Sequence, residues 1–378
     1  MSRILSILVG LIASLPLRAS PPSPTAMPDQ ALLDVSKAIT RIAFGSCFDQ
    51  NMPTLSLSPF GPRHDIWDTI VEAGPDLMLL LGDNIYAKTE DMAVMRREYA
   101  KLAADAGFRR LRRSVPILAT WDDNDYGKSD GGAEYPRKRE SQSIFLEFFN
   151  EPKDSPRWTR AGVYDAKVVG PPGRRVQIIL LDTRYFRGPL VWRPHDQPAP
   201  PDRPGPYVPT TDTSATMLGE TQWRWLAEQL RVPADLRIIA SSIEVVAEDH
   251  GYEKWANFPH ERARLFKLIG ETKVGGVLII SGDRHSAELS RIDAGVGYPL
   301  YDLTSSSLNK PRLWAIEANQ HRVGEMYFGA NFGMVSIDWD RPDPLIRLQI
   351  HGTDGKTVFE HEVSLRELRS TPEPRPGP

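Results

Sequence analysis

The chain has 378 residues, 40% of them hydrophobic and 25% charged, which fits one large globular domain or two smaller ones and excludes a disordered or fibrous protein. A formal net charge of −3 provides no basic field for a nucleic-acid backbone, so the expected partners are small anions at a site where a metal supplies positive charge. The single cysteine, Cys47, excludes an intramolecular disulfide.

The N-terminus reads as an export signal over residues 1–20, with Arg3 ahead of the apolar stretch from Ile4 to Leu17 and Ala19-Ser20 at its end. That stretch is shorter than the roughly 20 apolar residues of a membrane span. The expectation is a periplasmic or secreted protein with no stable span after signal removal. A disordered linker over 21–37, one domain over 38–366 and a disordered tail over 367–378 complete the expected organisation.

Within the domain, hydrophobic runs alternate with amphipathic ones. Strands are expected at Arg41–Phe44, Leu77–Leu81 and Ile117–Thr120, with helices near Asp65–Ala73, Met92–Ala104 and Ser141–Asn150, the rhythm of a parallel sheet. Strands at Val163–Val169 and Val176–Leu181 follow. Residues 187–212 hold eight prolines and form an insertion loop, either a lid or a surface excursion. A helix at Glu220–Leu230, a strand at Leu236–Val246, a helix at Glu261–Ile269 and the strand beginning at Val277 come next. After Ser286 the pattern changes to strands separated by turns, at Leu300–Leu303, Met334–Trp339, Leu345–His351 and Thr357–Val363, and predicts a second, more antiparallel sheet.

Several strands end in polar clusters. Gly45-Ser46-Cys47, Gly82-Asp83-Asn84-Ile85-Tyr86, Asp122-Asp123-Asn124-Asp125-Tyr126-Gly127 and Ser281-Gly282-Asp283-Arg284-His285 each follow an apolar run, so the carboxyl ends of separate strands can aim them into one crevice. A lone thiol in an exported protein is a buried small hydrophobe or a thiolate held by a metal, and the tight turn before Cys47 favours the ligand. The acidic cluster would repel itself in a cleft without a cation, although Asp and Asn also favour turns by bonding their own backbone. No frame of it fits a calcium-binding helix-loop-helix loop. Tyr86, with an ordinary pKa of about 10, would need a strongly acidic ion such as ferric iron to act as a phenolate ligand. In that arrangement Asp83 can bridge two metals. Asp283 and His285 would point to opposite faces of a regular strand, but in a turn beyond its end both reach metals. A donor set of oxygens with one thiolate and one imidazole fits hard ions, and two such ions can clamp a phosphoryl group and lower the pKa of a water toward roughly 7.

These motifs, with Asp182-Thr183-Arg184-Tyr185-Phe186-Arg187, Leu218-Gly219-Glu220-Thr221-Gln222-Trp223 and Trp255-Ala256-Asn257-Phe258-Pro259-His260-Glu261-Arg262, resemble the PhoD-type alkaline phosphatase family in order and spacing over about Arg41 to Leu308. The resemblance implies an α/β metallophosphoesterase fold, a four-layer αββα sandwich of two mixed sheets flanked by helices. It also implies a mixed centre of Fe3+ and Ca2+, with Mn2+ able to replace either. It assigns Cys47, Asp83 and Tyr86 to the ferric ion with Asp83 bridging, His285 to the same ion, Asp283 to the second, and Asp123 or Asn124 to the second as well. Glu244 is a further candidate ligand, Arg284 a candidate for binding phosphate oxygens, and Asn84 a candidate for hydrogen bonding to substrate. Asp182 and Arg184 are expected as an internal pair that orders the site. Position 124 is often histidine in the family, a candidate proton donor that Asn124 cannot replace. Arg3 stands alone, so the general secretory route is expected, and the space before Arg41 leaves no room for an extra N-terminal β-domain.

The resulting expectation is an exported, monomeric, metal-dependent phosphoesterase acting on small phosphate mono- or diesters, with hydroxide attacking phosphorus in line. The alternative is a secreted metal-dependent protein that binds phosphate or carbohydrate without turnover. A serine hydrolase built on Ser46 or Ser281 lacks the Gly-x-Ser-x-Gly elbow.

Overall fold

The computed structural model describes residues 30–52, 65–312 and 317–369. The expected signal peptide and most of the expected linker and tail lie outside the described residues. In chain order the first part comprises β1 (Arg41–Gly45), α1 (Ile66–Glu72), β2 (Leu77–Leu81), α2 (Met92–Ala104), α3 (Ala106–Ser114), β3 (Ile117–Thr120), the one-turn α4 (Asp123–Tyr126), α5 (Lys138–Phe148), β4 (Asp165–Val169) and β5 (Val176–Leu180). A hairpin of β6 (Val191–Trp192) and β7 (Tyr207–Val208) precedes α6 (Gly219–Leu230), β8 (Leu236–Ala240), α7 (Pro259–Thr272) and β9 (Val277–Ser281). The rest is β10 (Ala287–Ile292), β11 (Leu300–Ser305), β12 (Arg322–Tyr327), β13 (Asn331–Asp338), β14 (Leu345–Gly352) and β15 (Thr357–Ser364).

One sheet has six strands in the order β15-β14-β13-β1-β2-β3, and the other has seven in the order β12-β10-β11-β9-β8-β5-β4. Both are mixed: β1, β2 and β3 run parallel and continue into the antiparallel β13, while β5, β8, β9 and β11 run parallel and are flanked by the antiparallel β4 and β10. Period-two alternation divides the first sheet's side chains between two cores. Ile42, Phe44, Leu77, Leu79 and Leu81 join the core shared with Ile178, Ile238 and Ile279 of the second sheet and with Leu226 and Ile269 of α6 and α7. Ala43, Met78 and Leu80 face Ile70, Leu102, Phe108 and Phe145 of α1, α2, α3 and α5. Each fully buried Leu or Ile here stabilises the fold by about 1.5–3 kcal/mol. The layers are therefore helices, sheet, sheet and helices, as the resemblance implies.

The structure corrects the division of strands. The last three strands do not build a separate antiparallel sheet. They extend the first sheet, because β13 pairs with β1 from Arg41↔Ser336 to Phe44↔Gly333. The apolar run Leu236–Val246 is a strand only as far as Ala240, and beyond it the chain is a buried loop whose Val245 and Val246 amides donate to Asp302. Helix α3 escapes a periodicity reading because Asp105 is extended (ψ 127°) and breaks the helix, while its carboxylate caps the next one through the Phe108 amide. Described residues on either side of 38–366 also pack on the domain. The Ala31 amide bonds the Arg112 carbonyl, the Gly170 amide bonds the Val35 carbonyl, and Leu368 is buried with its carbonyl accepting from Gly276. Among the described residues no helix is long and apolar enough to cross a membrane.

Candidate metal centre and cleft

All the polar clusters named above leave the carboxyl ends of parallel strands: Ser46-Cys47 after β1, Asp83 after β2, Asp122 to Asn124 after β3, and Asp283 to His285 after β9. The turns after β1, β2 and β9 hold non-glycine residues in the left-handed region, with φ of 59° at Cys47, 49° at Asp83, 70° at Asp283 and 57° at His285. Such conformations cost about 1–3 kcal/mol apiece and persist where the surroundings enforce them, as at functional sites.

Two donor groups result. One ligand atom from each of Cys47, Asp83 and His285 lies within 4.8 Å of the others, and the same holds for Asp83, Asp122 and Asp123. Asp83 belongs to both. Tyr86 joins the first group through its hydroxyl, 3.0 Å from His285 Nε2. Ser306 Oγ donates to Cys47 Sγ over 3.1 Å, and His285 is fixed by its amide donating to Ser306 Oγ over 2.8 Å. Asn124 donates from Nδ2 to Asp83 Oδ2 (2.7 Å) and Asp123 Oδ1 (2.6 Å), while its own Oδ1 is buried without a hydrogen-bond partner. Asp283, in the turn between β9 and β10, faces the same cleft.

The electrostatics of these groups ask for cations. Burial, then repulsion from Asp123, Asp122 and Asp125, raises the Asp83 carboxyl well above the ordinary range. Burial also raises Cys47 and Tyr86, with Asp83 adding to both. Asp283 is raised to about 7, mainly by burial. His285 is pushed down to about 3 by burial and by the cations Arg284, Lys310 and Arg312, so its ring is neutral and free to ligate. Asp122 Oδ2 is buried without a hydrogen-bond partner, which leaves a lone pair for an ion. Thiol, phenol, imidazole and carboxylates around one shared Asp83 fit a pair of hard metal ions.

Two residues expected at the site are engaged with other partners, and one expected internal pair is exchanged for another. Asn84 Nδ2 donates to the Thr120 carbonyl (2.9 Å) and to Asp125, so it braces β2 against β3, and Asn84 is not among the residues that line the cleft. Glu244 is not in either donor group: His250 Nε2 lies 2.7 Å from its carboxylate, Thr304 Oγ1 donates to it over 3.2 Å, and Arg284 is 3.8 Å away. Its place in the buried loop after Ala240 turns it behind the site. The Arg184 guanidinium does not pair with Asp182. It holds Asp122 (2.5 Å) and Glu253 (2.6 Å), while Asp182 accepts the amides of Val163, Arg184 and Tyr185.

The Asp cluster divides its labour. Asp125 accepts the amides of Asp122, Asp83 and Asn84 and so ties the two loops together, which is the turn-stabilising role, whereas Asp122 and Asp123 present carboxylates to Asp83. Arg284 is buried, its Nη2 donating to both Glu317 carboxylate oxygens at 2.5 and 2.6 Å, and its guanidinium lies 4.3 Å from the Tyr252 ring centroid. The cleft, about 230 Å³ in volume, is also lined by Tyr207, Tyr252, Glu253, Lys310 and Arg312, none of which a strand-end pattern singles out. Tyr207 comes from the Pro-rich insertion. Its hydroxyl donates to Asp130 Oδ2 over 2.5 Å, and the Asp130 amide in turn donates to Asp123, so the insertion is latched to the metal loop.

Two mixed sheets that deliver such a donor set to one crevice define a metal-binding phosphoester hydrolase of the metallophosphoesterase-like fold. Residues 42–331 match the PhoD-like phosphatase family, and the chain belongs to that family. The structure of PhoD superposes with a TM-score of 0.65 at 16% identity, over 90% of this chain and 74% of that one. Purple acid phosphatase PPD1 from yellow lupin (Lupinus luteus) seeds gives a TM-score of 0.58 at 12% identity, over 91% of this chain and 58% of that one. GAP50, the anchor in the inner membrane complex of Plasmodium, gives 0.54 at 12% identity, over 90% and 99% of the respective chains. At these identities the likeness is one of fold. No curated protein sequence matches the chain.

Proposed function

We propose that the protein is an exported phosphoesterase that hydrolyses small phosphate mono- or diesters with water activated by two metals, ferric iron with calcium or manganese, and that it acts as a monomer. The observation that carries this reading is the convergence of Cys47, Asp83 and His285 with Asp83, Asp122 and Asp123. Cys47, Tyr86, His285 and Asp83 would hold the ferric ion, and Asp83, Asp122, Asp123 and Asp283 the second. When bound, the ions supply Lewis-acid charge that brings a water's pKa toward roughly 7 and offsets charge developing on the phosphoryl oxygens.

The chain's own groups bind and orient. Arg284, fixed through Nη2 by Glu317, lines the cleft where phosphoryl oxygens would sit and supplies a charged N–H donor to them. Asn124 holds the Asp83 and Asp123 carboxylates by one amide nitrogen, and Arg184 holds Asp122 so that a single oxygen remains free. Elemental analysis of the mature protein, purified without chelators, should find iron together with calcium or manganese at near-integer ratios. A well-folded chain that takes up neither overturns the reading.

The binding-protein alternative is favoured by one feature: the Asn124 amide has no acidic proton to transfer to a leaving oxygen. A series of esters separates the two. An enzyme without that donor hydrolyses nitrophenyl esters much faster than alkyl esters, whereas a binder turns over none.

A further inference from the structure

Three cations stand together on the side of the cleft formed by Tyr86 and His285. The Lys310 ammonium lies 3.5 Å from the centroid of the Tyr86 ring. The Arg312 amide donates to the His285 carbonyl over 2.9 Å, which fixes that residue against the metal loop. The Arg312 and Arg284 guanidiniums lie 4.5 and 4.3 Å from the centroid of one ring, that of Tyr252. Cation–π contact of this kind orders both side chains before any ligand arrives.

Their counter-charges fall short. Glu317 serves both Arg284 and Arg312, and Asp49 serves Lys310, while Asp283, 3.7 Å from Arg284, is a carboxylate that the second metal would claim. Glu244, near Arg284, is raised to about 7 by burial and is partnered by His250. The acidic groups across the cleft are committed as well: Asp83 and Asp123 to the donor groups, Glu253 to Arg184 and Arg187.

Depth separates the three cations. The Arg284 side chain is 4% exposed, whereas Lys310 and Arg312 are 31% and 35% exposed, which puts them outward of Arg284 on the path toward solvent. A phosphoryl group seated between the donor groups and Arg284 therefore directs its ester substituent past Lys310 and Arg312. Arg312 shares its one carboxylate, Glu317, with Arg284, so the ordered positive charge there is only partly neutralised and concentrates an anion.

We propose that Lys310 and Arg312 form a second anion subsite, for a carboxylate or phosphate carried by the leaving group of the ester. The inference rests on the phosphoesterase reading and names its substrate class: small esters with their own anionic group next to the phosphoryl, in preference to neutral alcohols.

Steady-state kinetics of the full, metal-loaded protein on 3-phosphoglycerate, glycerol 1,3-bisphosphate and glycerol 3-phosphate test it, since these differ in the second anionic group. At least one of the first two should show a kcat/KM tenfold or more above glycerol 3-phosphate, and which one tells a carboxylate from a phosphate. Arg312→Gln should bring that ratio below threefold through KM with little change in kcat, and Lys310→Gln, at a more separable position, should lower it as well. Equal kcat/KM for all three esters, or a ratio untouched in both variants, overturns the subsite. Absence of turnover of every ester, nitrophenyl phosphate included, instead overturns the phosphoesterase reading. Calorimetry then decides the subsite alone: 2-phosphoglycolate should bind at least tenfold tighter than inorganic phosphate, Arg312→Gln should remove that difference, and equal affinities refute it.

Discussion

Replacing Gly82 by alanine should damage stability and metal content together, because this glycine is where the two donor groups are pressed onto each other. Gly82 has φ +103°, which L side chains rarely adopt, and a Cβ there would lie 2.4 Å from Asp122 Cβ, 2.6 Å from its amide nitrogen and 2.7 Å from the Trp121 carbonyl carbon. Two of those three atoms are backbone of the loop after β3, so no side-chain rotation relieves the overlap. The strained conformation costs about 1–3 kcal/mol and the overpacking about as much again, or roughly 4 kcal/mol together. With an unfolding entropy of about 2.1 cal/mol/K per residue, a domain of about 300 residues loses about 6 °C in Tm. Relief by moving the loops apart would separate Asp83 from Asp122 and Asp123, so the loss of metal should exceed what the Tm shift alone causes. Gly173→Ala is the control: its φ is +87° with nothing within 4 Å of the added carbon, so only the conformational part of the cost applies. Scanning calorimetry and elemental analysis of both variants read the outcome. Wild-type metal content and a Tm within about 1 °C in Gly82→Ala would refute the packing argument.

Three further outcomes follow from the site and the fold. Cys47→Ser and Tyr86→Phe should each lower iron content and weaken any visible charge-transfer band, and retention of both signals in one variant removes that residue from the ligand set. Glu244→Gln should keep the metal stoichiometry, because its carboxylate is engaged with His250 and Thr304, while KM rises as Arg284 loses support; loss of metal in this variant would restore Glu244 as a ligand. Asp65 caps α1 through the Trp67 amide and its pKa is raised to about 6 by burial, with Asp105 and Asp68 adding to it. The folded state thus holds this proton more tightly than the unfolded chain, where the pKa is about 3.9. Ionisation costs stability as pH rises from about 4 to 6 and the full cost remains above that. Asp65→Asn keeps an acceptor and cannot ionise, so its Tm relative to wild type should climb through that window and then level off. A difference that stays flat with pH would refute the assignment.

Local order made much of the site legible. A hydrophobic run followed at once by Gly82-Asp83, Ser46-Cys47 or Gly282-Asp283 states both that a strand exists and that its end turns sharply, because buried parallel strands are continuously apolar and ligand sites gather at their carboxyl ends. The helices at Met92–Ala104 and Gly219–Leu230 were legible for the same reason: a 3.6-residue period is written within a dozen residues. What lay beyond reach depends on pairings between distant segments. Glu244 reads as one more strand-end acid, and only the fold shows that its strand stops at Ala240 and that His250 has claimed the carboxylate. Asn84 sits beside Asp83 in sequence yet turns to Thr120 at the end of the neighbouring strand and to Asp125 in the loop after it.

The sequence by itself determined the strand ends, the residue types of the donor set and the family, since each is carried by contiguous residues whose chemistry and spacing do not depend on what they later touch. Only the tertiary structure decided that β13, β14 and β15 extend the first sheet, that Asp122 stands with Asp123 and Asp83 while Asp125 serves the backbone, and that Arg312 meets Arg284 across Tyr252. Each of these is a contact between segments far apart in the chain. Such contacts are fixed by the burial of both sheets and by the competition of every buried charge for a partner, neither of which leaves a local trace.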